Sequence, residues 1–78
     1  MKNNICIVGL GYVGLPLAIE FAKFFEVLGF DENINRINQL KKNKDINNQI
    51  SRNVLSNSNI KFTSNEQEMK KFNIFIVT

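Results

Sequence analysis

The chain alternates between short runs that are apolar throughout and stretches whose apolar residues recur every three or four positions. Residues 5–8, Ile-Cys-Ile-Val, are apolar without a break and stop at Gly9. Such a run fits a strand covered on both faces, as in a parallel sheet. A turn over residues 9–14 follows. Gly14, Leu17, Ala18, Phe21 and Phe25 then fall at helical spacing, which predicts one face of a helix over about 13–23. Leu15, Ile19 and Ala22 widen that stripe, so burial on more than one side is expected. Pro16 would sit in the first turn, where a missing N–H costs little.

The second half repeats the alternation. Residues 26–30, EVLGF, read as a strand with Asp31 at its carboxyl end. Ile34, Ile37 and Leu40 recur every third position through residues 33–42, a short amphipathic helix. Residues 43–48 form a polar connection, and residues 49–56 hold one or two helical turns around Ile50, Val54 and Leu55. Residues 59–63 predict a third strand. Ser64 with Gln67 resembles a capping box for a brief helix to about residue 71. Residues 72–78, FNIFIVT, predict a fourth strand. The order β-α-β-α-β-α-β implies parallel pairing with right-handed crossovers. Nothing in it marks an internal repeat, linker or domain boundary.

Composition narrows the chemistry. Seventy-eight residues make at most one small domain, and a chain of that size buries only ~60% of its unfolded surface. Phe21, Phe24, Phe25, Phe62, Phe72 and Phe75 are expected in the core. The net charge of +3 raises nucleic acid as a partner, but the lysines are scattered over Lys2, Lys23, Lys41, Lys42, Lys44, Lys61, Lys70 and Lys71. A solvated helix face is the expectation for residues 41–44, with no nucleic-acid partner. One cysteine and no histidine leave no internal disulfide, no Ser-His or Cys-His pair, and few metal geometries. Cys6 reads as a small buried hydrophobe inside a strand. No stretch reaches the ~18 apolar residues of a membrane span, and the N-terminus lacks a signal-peptide pattern. A cytoplasmic location is expected.

The candidate site is Gly9-Leu10-Gly11-Tyr12-Val13-Gly14. A Gly-x-Gly-x-x-Gly pattern alone is weak, but here it follows a strand, opens a helix, and has an acid, Asp31, twenty-two positions after Gly9. That is the fingerprint of a dinucleotide-binding βαβ unit. Gly9 would permit the tight turn, Gly11 would let the backbone approach a pyrophosphate, and Gly14 would bring the helix close to the sheet. The helix N-terminus offers N–H groups to phosphates. Leu10, Tyr12 and Val13 would contribute mainly backbone, although Tyr12 could equally be a packing aromatic. Asp31 would accept from the adenosine ribose, favouring NAD over NADP; it could also cap the second helix. The expected architecture is a Rossmann-type parallel sheet in the order 3-2-1-4, part of a doubly wound α/β domain.

At IVGLGYVGLPLA, residues 7–18, the sequence resembles the UDP-glucose/GDP-mannose dehydrogenase family, the NAD-dependent nucleotide-sugar 6-dehydrogenases. The similarity continues through GFDENINRI, residues 29–37, IKFTS, residues 60–64, and NIFIVT, residues 73–78. The second segment is more similar to members that oxidise UDP-N-acetylhexosamines, nearest to UDP-N-acetylglucosamine 6-dehydrogenases of surface-polysaccharide synthesis. Asn43 stands where glycine is common in them, and residues 47–49 also depart. The resemblance implies that residues 9–14 form the phosphate loop, that Asp31 is the ribose acid and that Arg36 lies by the adenosine end of NAD. Read from the residues alone, Arg36 could instead pair with Asp31 or Glu32 on the surface. The implied reaction takes a UDP-sugar C6 alcohol to a carboxylate with two NAD reduced. It uses a catalytic cysteine, lysine, asparagine and acidic residues to which no residue here corresponds. The expectation is therefore an N-terminal, partial NAD-binding domain over residues 1–78, inactive alone, from a full-length protein that is a homo-oligomer.

Overall fold

The computed structural model describes residues 3–78, so Lys2 lies outside the described residues. Four parallel strands form one sheet in the order β3-β2-β1-β4, as the alternation predicts. Strand β1 is Asn4–Val8, β2 is Glu26–Phe30, β3 is Lys61–Thr63 and β4 is Ile74–Val77. Helix α1 spans Gly14–Phe21, α2 spans Ile34–Lys41 and α3 spans Arg52–Asn57. The β3–β4 connection is a 3₁₀ helix, Glu66–Lys71, rather than an α-helix. Its cap is Asn65, whose side chain accepts from the Gln67 N–H, and not Ser64.

Because all four strands run the same way, their carboxyl ends share one edge. The chain passes from β1 outward through β2 to β3, then returns to pair β4 on the other side of β1. That reversal puts a topological switch point between β1 and β4, where open α/β sheets bind ligands. Backbone bonds extend the sheet past the strand ends: Gly9 N donates to the Phe30 carbonyl at 2.8 Å, and Thr78 N to the Val8 carbonyl at 2.9 Å.

The core lies between the sheet and the helices. Ile5, Ile7, Leu10, Leu15, Ala18, Val27, Ile37, Leu40 and Leu55 are buried together. Cys6, Leu28 and Phe30 form a smaller cluster on the opposite face, packed by Met69 and Phe72; burial pushes the Cys6 thiol pKa up. The expectations of burial fail for three phenylalanines and for Ile34. Helix α1 buries Gly14, Leu15, Ala18 and Ile19, and it ends at Phe21, so Phe24 and Phe25 fall in a turn and are exposed, with Phe24 at 79%. Phe75 is also exposed, on β4. Ile34 starts α2 facing outward, and only Ile37 and Leu40 carry its apolar face.

Helix α2 stops through a pair of backbone bonds, Asn43 N to Leu40 O and Lys44 N to Gln39 O, the Schellman pattern. Its pivot is Asn43 at φ 61°, a left-handed position that glycine fills most easily and asparagine tolerates.

Candidate dinucleotide site

Residues 9–14 leave β1 and enter α1 with the three glycines in different surroundings. Gly9 has φ +97°, which residues with a Cβ rarely adopt, and a Cβ there would come 2.9 Å from the Thr78 carbonyl oxygen. A Cβ on Gly14 would collide with the Gly9 carbonyl oxygen and approach the Thr78 hydroxyl. The close contact Gly14 permits is thus with the turn and the β4 end. At Gly11 a Cβ would meet nothing within 4 Å. The middle glycine therefore has no folding reason to lack a side chain, and open space lies beside its backbone.

Helix α1 presents its amino end at the same place. Its cap residue, Val13, has no capping side chain, and no acid occupies the first turn. In this first turn the Leu15 N–H donates to the Gly11 carbonyl at 3.2 Å and Pro16 has no N–H, so the groups left for an anion are the N–H of Gly14 and those of the loop before it.

Leu10 fixes the loop. Its N–H donates to Asp31 Oδ2 at 3.0 Å, and its carbonyl accepts from Arg36 Nε at 2.8 Å. Its side chain is fully buried, so it does more than lend backbone. Beyond it, Tyr12 and Val13 are each 67% exposed. Tyr12 is thus not a packing aromatic.

Asp31 is half-buried at the end of β2, and its Oδ1 accepts from Asn33 N at 2.9 Å. It does not cap α2. Asn33 does, accepting from Arg36 N. The carboxylate stands beside the loop, where the fingerprint requires it, and each oxygen keeps a further lone pair for a hydroxyl donor.

Arg36 corrects the surface ion-pair expectation. It pairs with neither Asp31 nor Glu32. It is buried, and its Nη1 meets Asp45 Oδ1 at 2.8 Å. Asp45 also accepts from the N–H groups of Asn47, Gln49 and Ile50. Burial pushes the Asp45 carboxyl up, but the Arg36 hydrogen bond and the three backbone donors outweigh it and hold it below the ordinary carboxylate range.

Sequence reasoning missed Asp45 and Thr78. Asp45 had one signal, an Asp followed by asparagines in a polar connection, which favours turns folded onto the carboxylate. Thr78 had another, a hydroxyl ending an apolar strand. Among the described residues no helix is long and apolar enough to cross a membrane, and no His/Cys/Asp/Glu group could hold a metal ion.

Residues 3–78 match the model for the NAD binding domain of the UDP-glucose/GDP-mannose dehydrogenase family. Protein CapL of Staphylococcus aureus is 48% identical over 77 residues, covering 99% of this chain and 18% of that protein. The UDP-N-acetyl-D-glucosamine 6-dehydrogenase of Salmonella typhi is 47% identical over 76 residues, covering 96% of this chain and 18% of the enzyme. The solved structure of a UDP-D-ManNAc dehydrogenase from Pyrococcus horikoshii superposes with a TM-score of 0.82 at 34% identity, covering 96% of this chain and 19% of that one. The chain thus spans about a fifth of the length of the relatives it matches.

Proposed function

This chain belongs to the UDP-glucose/GDP-mannose dehydrogenase family as its NAD-binding part, and on that premise we propose that residues 9–14, Asp31 and Arg36 hold the adenosine and pyrophosphate end of NAD. The protein it serves oxidises the C6 alcohol of a UDP-N-acetylhexosamine to the uronate, for surface-polysaccharide synthesis. The observation that carries this reading is the contrast among the glycines: Gly9 and Gly14 are filled by the fold, whereas Gly11 faces open space at an uncapped helix end.

Each residue has a task. The exposed amides after Leu10 and the α1 amino end would receive the pyrophosphate. Asp31 would accept from the ribose hydroxyls and repel a 2′-phosphate. Arg36 brings a buried positive charge to the loop, and its Nη2 is a buried donor with no partner. NAD, when bound, supplies the hydride acceptor for the alcohol and aldehyde oxidations. The sugar-binding and catalytic groups belong to the parts of the relatives that these residues do not span. The N-acetylhexosamine preference follows the names of the relatives, two of which act on such sugars. A cytoplasmic, homo-oligomeric full-length protein is part of the same proposal.

Calorimetric titration tests the cofactor. The chain should bind NAD at least about tenfold tighter than NADP, and equal affinities would sink the assignment of Asp31. Asp31→Ala should weaken NAD roughly tenfold to a hundredfold, the worth of hydrogen bonds to a charged group. The sugar is tested in protein that carries this segment and the rest of the enzyme. NADH formation should be faster with UDP-N-acetylglucosamine or UDP-N-acetylmannosamine than with UDP-glucose.

A further inference from the structure

The Asp45 carboxylate is fully buried and so, within 8%, is the Arg36 side chain that it meets. A buried ion pair is weak evidence for stability, because desolvation cancels much of the attraction. What this pair does is geometric. Asp45 collects Asn47, Gln49 and Ile50 N–H groups around its two oxygens, which folds the connection after α2 into a socket. The socket fixes Nη1 of Arg36, and Arg36 then reaches twenty-six positions back in sequence to place Nε on the Leu10 carbonyl. Asp31 holds the N–H of the same residue. Leu10 is thus held at its N–H, its carbonyl and its buried side chain, while Tyr12 and Val13 just beyond it are solvent-exposed.

We propose that Asp45 is a positioning residue for the dinucleotide loop, acting through Arg36 on the Leu10 carbonyl to keep the exposed amides of residues 11–13 aimed for a pyrophosphate. The proposal rests on the NAD reading above. Asn at position 45 removes the counter-charge and leaves one oxygen for which Arg36 Nη1 and the N–H groups of Asn47, Gln49 and Ile50 compete, beside a guanidinium whose Nη2 is already unpartnered. The guanidinium would then turn to find an acceptor, and the Leu10 carbonyl would lose its donor. Asp45 itself lies among polar connection residues and would touch no part of the dinucleotide.

Two measurements test it. In wild-type chain, solvent exchange of the Arg36 Nε–H is followed by NMR without and with saturating NAD. Slow exchange in both states supports a fixed strut; fast exchange without NAD, or loss of protection when NAD binds, overturns it. The second measurement is the NAD dissociation constant of Asp45→Asn, taken well below its melting temperature with the amide spectrum confirming the fold. About tenfold weaker binding is expected, the cost of one lost hydrogen bond, with faster Arg36 Nε–H exchange. Unchanged affinity in a folded variant overturns the proposal, since a purely structural role would lower the melting temperature alone. If Asp45→Asn does not fold, the wild-type exchange decides. If wild-type chain binds no NAD, the cofactor reading fails, and the Arg36 exchange still reports on the strut.

Discussion

The Thr78 hydroxyl donates to the Gly9 carbonyl oxygen at 2.8 Å and lies 3.2 Å from the Val8 carbonyl oxygen. The end of β4 thereby closes the turn that leaves β1. Thr78→Val keeps the shape and removes the donor. It should cost about 1 kcal/mol, read as a lower urea midpoint at constant slope, and Thr78→Ser should restore it. A Val variant with the wild-type midpoint would show that water replaces the hydroxyl without loss.

Gly11 and Gly14 separate ligand space from packing space. Gly11→Ala should leave stability within about 0.5 kcal/mol, because its Cβ meets no atom, yet weaken NAD at least about tenfold. Gly14→Ala should cost about 3 kcal/mol or more through overpacking against the Gly9 carbonyl, read as lost structure in circular dichroism. If Gly11→Ala binds NAD normally, the open space is not where the pyrophosphate lies.

The Asp45 carboxyl titrates below its ordinary range in the folded chain, so its contribution is complete above the unfolded value of about 3.9 and fades as pH falls through the folded one. At neutral pH Asp45→Asn should cost about 2–3 kcal/mol, as for hydrogen bonds to charged groups. The gap between variant and wild type should narrow below about pH 4. Urea titrations at neutral and acid pH check the sign; a gap that widens in acid would contradict it.

Leu40 is fully buried and Val77 is 78% exposed. Leu40→Ala should cost about 2–5 kcal/mol through the cavity it leaves. Val77→Ser should change stability by no more than about 0.5 kcal/mol. Thermal melts of the two variants compare the terms directly.

The parts legible in the sequence are those that rest on local pattern. Residues 27–30, VLGF, are an apolar run between Glu26 and Asp31, and β2 spans Glu26–Phe30 as read. The glycine spacing located the loop because Gly9 and Gly14 answer backbone constraints while Gly11 leaves open space beside the chain. The α1 stripe overran because Phe24 and Phe25 continue the helical spacing after the helix has stopped, and spacing alone does not report a stop. The cap moved from Ser64 to Asn65 because two adjacent polar residues can each accept from the backbone. The surface ion pair that the residues alone allowed for Arg36 fails for a different reason. The partner of Arg36, nine positions away, reaches it only when α2 ends at Lys41 and the chain turns back at Asn43. That pairing is a property of the tertiary structure, and the nearer acids Asp31 and Glu32 were the only ones helical geometry could suggest.

Strand β1 is flanked on both sides, by β2 and by β4, and the Thr78–Gly9 contact bridges sixty-nine positions. The binding turn is therefore assembled by a contact of very high sequence separation, and loop-closure entropy must be met before that contact returns anything. Residues 4–63 can form three strands while the turn is still missing its lock at β4. Fraying of β4 from that sheet would unmake the lock first, by local opening that leaves the other strands paired. Cofactor affinity then becomes a reporter of β4 docking, and a cofactor bound at the turn would slow hydrogen exchange in β4 more than in β3.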